Sequence, residues 1–376
     1  MARIAVDASS LAHPNPTGVE YYAREVLKRL PEQKILKDHE IYYWLPKGVK
    51  VDLPQGVKIE FLSWPFKRGF IGVRLLMELI KNPPDIFFTP SHGLSKIHRS
   101  KTKICATIHD IAFTNHPELY EPKERKHQQN SLNKTLSVAD GVLVVSKATE
   151  KAVKSFFGKR DLQIFVTGLA VNRTRFFLRS EKEITEARNR YGLNNPYILH
   201  TGRMEKKKGV DTLLRAFALM AEKNAGQAPC ELVLVGSKGD LSGFVKQFIA
   251  DKPHLPIHSL GYLGEDEMPL ILQGAEMLAF PSRAEGFGLP NLEALAVGTG
   301  LVTSDIAVHR EVVQDAGVFV PPNDVKAWSE ALQQVLGRSP KEKEEWREKG
   351  FKLIENFSWD KTAQQTAEAL VKILNV

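Results

Sequence analysis

Glu285 and Glu293 bracket the stretch Gly286-Phe287-Gly288-Leu289-Pro290. Proline suits the first turn of a helix, so the two glycines must lie just before it. Unpaired backbone N–H groups and the helix dipole favour a phosphate or a sugar oxyanion there. A backbone without Cβ atoms lets such a ligand approach closely. Glu285 would then lie in the loop and Glu293 on the helix, about one turn in. Eight residues of straight helix would separate them by about 12 Å. The loop shortens that distance, so both acids can serve one extended ligand. Acids that merely complement a helix dipole would give the same pattern.

Arg203 and Lys208 form a second group, after the apolar run 197–199 and before the helical periodicity of Leu213, Leu214, Phe217 and Met220. Arginine offers a fork of donors and lysine a point charge, a combination suited to a diphosphate. A basic surface loop is the plain alternative, and Lys206 and Lys207 read as solvated. His109 follows the apolar run 104–108, which places its imidazole at a strand's carboxyl end, where open α/β sheets bind ligands. A lone histidine is also a common structural residue. Thr17-Gly18 reads as a helix start, with Thr17 as a plain cap or Gly18 as a point of backbone approach to an anion.

Phe280-Pro281-Ser282, the run from Glu285 to Pro290 and the Glu-(seven residues)-Glu spacing together resemble the signature of the retaining family 4 glycosyltransferases, enzymes of the GT-B fold. Gly202-Arg203 with Lys208-Gly209 is similar to a second element of that family. The resemblance implies that Glu285 contacts the donor sugar and Glu293 the ribose hydroxyls. Arg203 and Lys208 would hold the donor diphosphate and stabilise the leaving group. His109 would face the sugar, and the backbone at Gly286, Phe287, Gly288 and Leu289 would line the donor. Gly18 would approach the diphosphate from the first domain, and Gly236, Tyr262 and Leu263 would lie near the base. His92, at the end of another strand-like run, reads from its position as lining the acceptor side. The runs 17–22 and 107–111 are similar to the O-antigen mannosyltransferase subgroup, which implies GDP-mannose as donor, with UDP-glucose or a UDP-N-acetylhexosamine as alternatives. Two departures stand out: Thr167-Gly168-Leu169-Ala170 where relatives often have Asn-Gly-Val-Asp, and Gly300 in place of a common proline.

No Asp-x-Asp pair occurs to hold a divalent ion. Arg203 and Lys208 can supply that positive charge electrostatically, so neither a metal nor a cofactor is expected beyond the donor itself. With no second carboxylate placed as a nucleophile in the first half, a front-face retaining transfer of a hexose to an acceptor hydroxyl is the economical route. The alternatives are a sugar-nucleotide epimerase of the same fold and a basic nucleic-acid-binding protein. The latter lacks a helix-turn-helix signal or an aromatic and basic platform, so nucleic acid is not expected as a partner. A dinucleotide dehydrogenase is disfavoured because no Gly-x-Gly-x-x-Gly follows a strand.

The elements that must position these residues come in two alternating sets. Strand-like runs at 4–7, 41–45, 59–62, 86–89, 104–108 and 142–145 are followed by a second series at 197–199, 232–235, 257–260, 277–280, 301–303 and 318–320, with helical patterns between. Such alternation predicts parallel sheets covered by helices. The expected fold is α/β, with two Rossmann-like domains facing across a cleft in the GT-B manner. The first spans 1–170, a linker 171–195, and the donor-binding domain 196–357, while the helix in 358–376 crosses back onto the first.

A chain of 376 residues fits two domains. Its two cysteines, Cys105 and Cys230, each adjoin an apolar run and read as reduced thiols, which excludes a disulfide scaffold and favours a cytoplasmic setting. The chain runs directly into its first strand, so no secretory signal is expected, and no apolar run reaches membrane-spanning length. Residues 1–180 hold 29 Lys+Arg against 17 Asp+Glu, whereas residues 181–376 hold 23 against 27. A basic first half suggests an anionic partner. The stretch 66–81, which includes Lys67, Arg68 and Arg74, reads either as a core-packing helix with solvated cations or as an interfacial helix. The second reading suits a lipid-linked or glycan acceptor at the inner face of the cytoplasmic membrane.

Overall fold

The structure, a computed structural model, describes residues 1–13, 18–49, 54–64, 70–91, 93–94, 101–158, 162–224 and 226–376. The expected contributions of Thr17, Lys67, Arg68 and His92 fall outside the described residues. The chain divides into two compact units, residues 1–169 with 358–376, and residues 170–357.

Among the described residues the first unit holds seven parallel strands: β1 (Arg3–Asp7), β2 (Glu40–Pro46), β3 (Lys58–Leu62), β4 (Ile86–Thr89), β5 (Lys103–Ile108), β6 (Gly141–Val144) and β7 (Gln163–Val166). The second holds six: β8 (Tyr197–Thr201), β9 (Glu231–Val235), β10 (Ile257–Gly261), β11 (Met277–Phe280), β12 (Gly300–Ser304) and β13 (Val318–Val320). Central strands such as β4, β8, β9 and β11 are buried along their whole length. That is why they read as continuous apolar runs, as strands covered on both faces do.

The strand orders are β3-β2-β1-β4-β5-β6-β7 and β10-β9-β8-β11-β12-β13. Both are Rossmann orders, in which the winding reverses between the first and fourth strands of a set. In the second sheet that reversal lies between β8 and β11, which pair through Met277 with Ile198 and Leu278 with Leu199. Ligands of such sheets bind outside the carboxyl ends of the strands at the reversal. The loops leaving β8 and β11 carry Arg203 and Lys208, and Glu285 to Gly288, respectively.

The stretch 171–195 is not a free linker. It contains the helix Glu181–Arg190, opened by a reciprocal capping box between Ser180 and Glu183, with Ile184 and Ala187 buried. Glu267 accepts hydrogen bonds from Arg190 and from the Tyr191 hydroxyl, fixing the segment to the second unit. Its many charges lie on the helix's outer face, which disguises the element in a reading by composition.

The last helix, Trp359–Leu374, packs in the first unit. Ala367, Leu370 and Ile373 join Val6, Leu27, Phe88 and Leu143 in one apolar core. A Cβ added at Gly141 would stand 2.4 Å from Ile373 Cδ1, so the helix lies flush on β6. Truncating the fully buried Leu370 to alanine removes packing from the first unit, although the residue lies far along the chain from its strands. Leu370→Ala is expected to cost about 2–5 kcal/mol in denaturant unfolding; a change within about 0.5 kcal/mol would show that the helix is not part of that core.

Candidate active site

Backbone contacts bring the strand-end loops of the second unit together. Gly202 N–H donates to Val235 O, Met204 N–H to Ser237 O and Gly236 N–H to Gly261 O. The glycines are required by proximity: a Cβ on Gly236 would stand 1.9 Å from Gly202 O, and one on Gly209 would stand 2.1 Å from Pro281 O. Gly236 (φ +147°) and Gly209 (φ +66°) also adopt backbone conformations that other residues resist. Thus the turn carrying Lys208 is pressed against the start of the loop carrying Glu285.

At that junction Lys208 Nζ lies 2.5 Å from Glu285 Oε1, which also accepts a 2.7 Å hydrogen bond from Ser282 Oγ. The two side chains are only 18% and 9% exposed. Burial alone would raise the Glu285 pKa, but the charges of Lys208 and Lys207 outweigh it and hold the carboxyl down at about 2. Lys207, read as merely solvated from the sequence, therefore acts on the site through its field. Arg203 is more open, 60% exposed, with a loose 3.6 Å approach to Glu205.

Glu293, on the helix Leu289–Ala296, has the opposite environment. Burial raises its carboxyl to about 7, with only a distant opposing effect from Arg175. The helix starts after Gly288, whose φ is +89°. A Cβ there would stand 3.0 Å from Asn291 Nδ2 and 3.1 Å from His309 Nε2. Both of these atoms are buried and find no partner among the described residues.

Two buried histidines that the sequence reading did not single out flank the ion pair. His200 Nδ1 donates to Ala279 O, and His309 Nδ1 donates to Ser304 O with Thr303 Oγ1 close by. Because a carbonyl can only accept, Nδ1 carries the proton in each neutral ring. Burial lowers both to about 4, so neither adds positive charge beside Lys208 at neutral pH. Thr303 Oγ1 in turn donates to Asn291 Oδ1, tying the start of the helix to β12. No spacing in the sequence marks these residues; only the strand order brings them together.

The remaining expected residues are distributed as follows. Gly286 and Leu289 lie in the loop and at the helix start, whereas the Phe287 side chain is buried against Phe357. Tyr262 is exposed beyond β10, and the Leu263 side chain belongs to the core. What Phe287 and Leu263 present to a ligand is therefore backbone. In the first unit, His109 Nε2 donates 2.8 Å to Pro90 O and its ring packs edge-on to Tyr22, while Gly18 opens the helix Gly18–Arg29 with nothing within 4 Å of an added Cβ. Gly300, where a proline is common, begins β12, and a Cβ there would meet Trp346 at 3.0 Å. A cavity of about 470 Å³ opens at the amino-terminal side of this sheet, beside Glu276, Gly300 and Trp346, but none of the expected site residues lines it.

The raised Glu293 pKa sets a pH-dependent stability. Its folded value near 7 exceeds its ordinary 4.5, so the favourable protonated form is fully present below 4.5 and is lost as pH rises through 7. Glu293→Gln, which cannot ionise, should gain roughly 1–3 kcal/mol over the parent at pH 8 and almost nothing at pH 4.5. Unfolding curves at the two pH values check this, and an equal effect at both would overturn it.

Residues 16–175 match the description Glycosyltransferase Family 4, and residues 181–353 match Glycosyl transferases group 1. Over 279 residues the chain is 32% identical to the O-antigen chain mannosyltransferase B of Escherichia coli, covering 72% of this chain and 71% of that one. It is 24% identical over 278 residues to the O-antigen chain mannosyltransferase RfbU of Salmonella typhimurium, covering 73% and 70%. Among solved structures, the sucrose-phosphate synthase of Thermosynechococcus elongatus superposes over all of both chains with a TM-score of 0.77 at 17% identity. Anabaena HepE in complex with UDP and glucose superposes over 99% of each chain with a TM-score of 0.72 at 17% identity. These structural likenesses establish the GT-B fold. Both matched descriptions are of glycosyl transferases and lend no support to an epimerase. The chain belongs to the family 4 glycosyltransferases.

Proposed function

We propose that this enzyme transfers a mannosyl residue from GDP-mannose to a hydroxyl of a glycan or lipid-linked acceptor, with retention and without a metal ion. The observation that carries the reading is the Lys208–Glu285 pair at the sheet's winding reversal, beside the glycine-rich helix start. The O-antigen mannosyltransferase relatives support mannose. In this reading Lys208 and the open Arg203 grip the diphosphate, backbone N–H groups at Gly286 to Leu289 receive phosphate oxygens, and Glu293 meets the ribose hydroxyls. Gly236, Tyr262 and Leu263 approach the base.

The bond from the anomeric carbon to the donor phosphate oxygen breaks as the acceptor oxygen bonds to the same face of that carbon. The acceptor's proton passes to the departing phosphate oxygen, whose charge Arg203 and Lys208 stabilise. Glu285 orients the sugar and balances positive charge developing on its ring. Nucleic acid has no place in this scheme. Thermal shift with a panel of nucleotide sugars should show GDP-mannose giving the largest rise, since a ligand at 100 times its Kd adds about 2.7 kcal/mol. Arg203→Ala should weaken nucleoside diphosphate binding itself, while Glu285→Gln should spare it and lower kcat by about 100-fold or more. Turnover should survive excess chelator; loss restored by magnesium or manganese would reject the metal-free scheme, and indifference to every nucleotide sugar would reject the whole reading.

The helix Leu75–Lys81 and the turn before it bear on the membrane. Val73, Met77 and Ile80 are exposed apolar residues at helical spacing, and no helix among the described residues is long and apolar enough to cross a bilayer. Arg74 does not act as a free cation, because it bonds Glu78 and Ser63 O. Peripheral contact with an anionic membrane, in a cytoplasmic setting, would therefore rest on that apolar face. Flotation with anionic liposomes should fall at least about fivefold in a Met77→Ser, Ile80→Ser variant; unchanged flotation, or none at low salt, would end the idea.

A further inference from the structure

Arg283 precedes Glu285 by two residues, and its backbone N–H donates 2.8 Å to Lys207 O. Its guanidinium makes five further bonds: Nη1 to Lys206 O (2.5 Å) and Asp211 Oδ1 (2.8 Å), Nη2 to Asp211 Oδ2 (2.9 Å) and Thr212 Oγ1 (2.9 Å), and Nε to Asn323 Oδ1 (2.6 Å). The side chain is 15% exposed and that of Asp211 18%. These bonds grip both ends of the turn Lys206–Lys208: the carbonyls of its first two residues, and the start of the helix Val210–Lys223 that follows it. Lys208 and Glu285 each lie two residues beyond a point of this grip.

We infer that Arg283 is a positioning residue that sets the register between the lysine-bearing turn and the glutamate-bearing loop, so that Lys208 Nζ meets Glu285 and faces the diphosphate. The contact at Gly209 and Pro281 and the backbone bond from Arg283 to Lys207 O fix how closely the two loops approach, and both lie on the backbone, away from the turn's first residue and from the helix that follows it. The fork on Asp211 and the bond to Lys206 O add points on either side of the lysine, and Asn323, held from Nε, orients the guanidinium that makes them. The role of Arg283 follows from its six bonds.

A plain ion pair with Asp211 would need only positive charge at position 283, whereas positioning needs the planar fork, which lysine lacks. The inference rests on the reading of Lys208 as a diphosphate ligand, so the test has one arm with ligand and one without. In the first, Arg283→Lys, Lys208→Met and the double variant are compared for GDP affinity and for kcat and KM with GDP-mannose. Arg283→Lys should stay folded and lose about 10–100-fold in kcat/KM. Lys208→Met should cost about 100-fold in the parent and less than about threefold more in the Arg283→Lys background. Full activity with Arg283→Lys, or losses that multiply, would overturn the inference.

In the second arm, denaturant unfolding measures the coupling between Lys208→Met and Glu285→Gln in both backgrounds; Arg283→Lys should reduce it by at least half, and an unchanged coupling would overturn the inference. Should Arg283→Lys fail to fold, Asn323→Ala, which removes one acceptor at the edge of the grip, replaces it in both arms. It should lower kcat/KM about 3–10-fold and the coupling in proportion, with unchanged values counting against positioning. Failure of the parent to bind GDP or any nucleotide sugar would sink the functional reading, while the unfolding arm would still decide the role of Arg283.

Discussion

A nearly buried carboxylate is costly unless a close opposite charge and hydrogen bonds replace the water it has lost. Glu285 meets that condition through Lys208 and Ser282, and its carboxyl stays ionised far below the ordinary range. The surrounding architecture serves this contact. The winding reversal sets β8 beside β11, Gly209 permits the approach to Pro281, and Arg283 fastens one loop to the other. His200 and His309 occupy nearby space without adding charge, because burial keeps them neutral. Lys208 and Glu285 therefore make the direct contact at the junction, and Lys207 adds to it through its field.

Much of the fold was legible in the sequence because it depends on local signals. Strands buried on both faces show as apolar runs, and a proline after a glycine-rich turn marks the start of the helix Leu289–Ala296. The segment 171–195 was misread as a linker even though Ser180 and Glu183 have capping-box spacing. Charge dominates its composition, and its two buried positions, Ile184 and Ala187, are too few to make a strong periodic pattern.

The site was legible in outline but not in its contacts. Lys208 and Glu285 could each be named from motifs, yet their bond spans 77 positions and exists because β11 crosses to lie beside β8. The same holds for Arg283 with Asp211, separated by 72 positions. The side chains of Phe287 and Leu263 show the converse limit: a position within a binding motif can turn its side chain into the core and leave only backbone at the surface. At Gly300 a side chain would press on Trp346. That contact could not be read from a turn considered alone.

The two acids of the motif divide their work by environment. Glu285 sits beside lysines and is ionised, whereas Glu293 has no lysine beside it, only the charge of Arg175 acting against its burial, and its carboxyl is raised to about 7. With Glu293 only partly ionised at neutral pH, the cations Lys207, Lys208 and Arg203 face Glu285 and Glu205, and burial pushes the Glu205 carboxyl up as well. A hydroxyl approaching Glu293 can accept from its protonated form or donate to its ionised form, so a contact there does not require the full negative charge. Pairs of acids whose surroundings push their pKa values apart can hold different roles within one site, and here the separation follows from which loop each acid occupies.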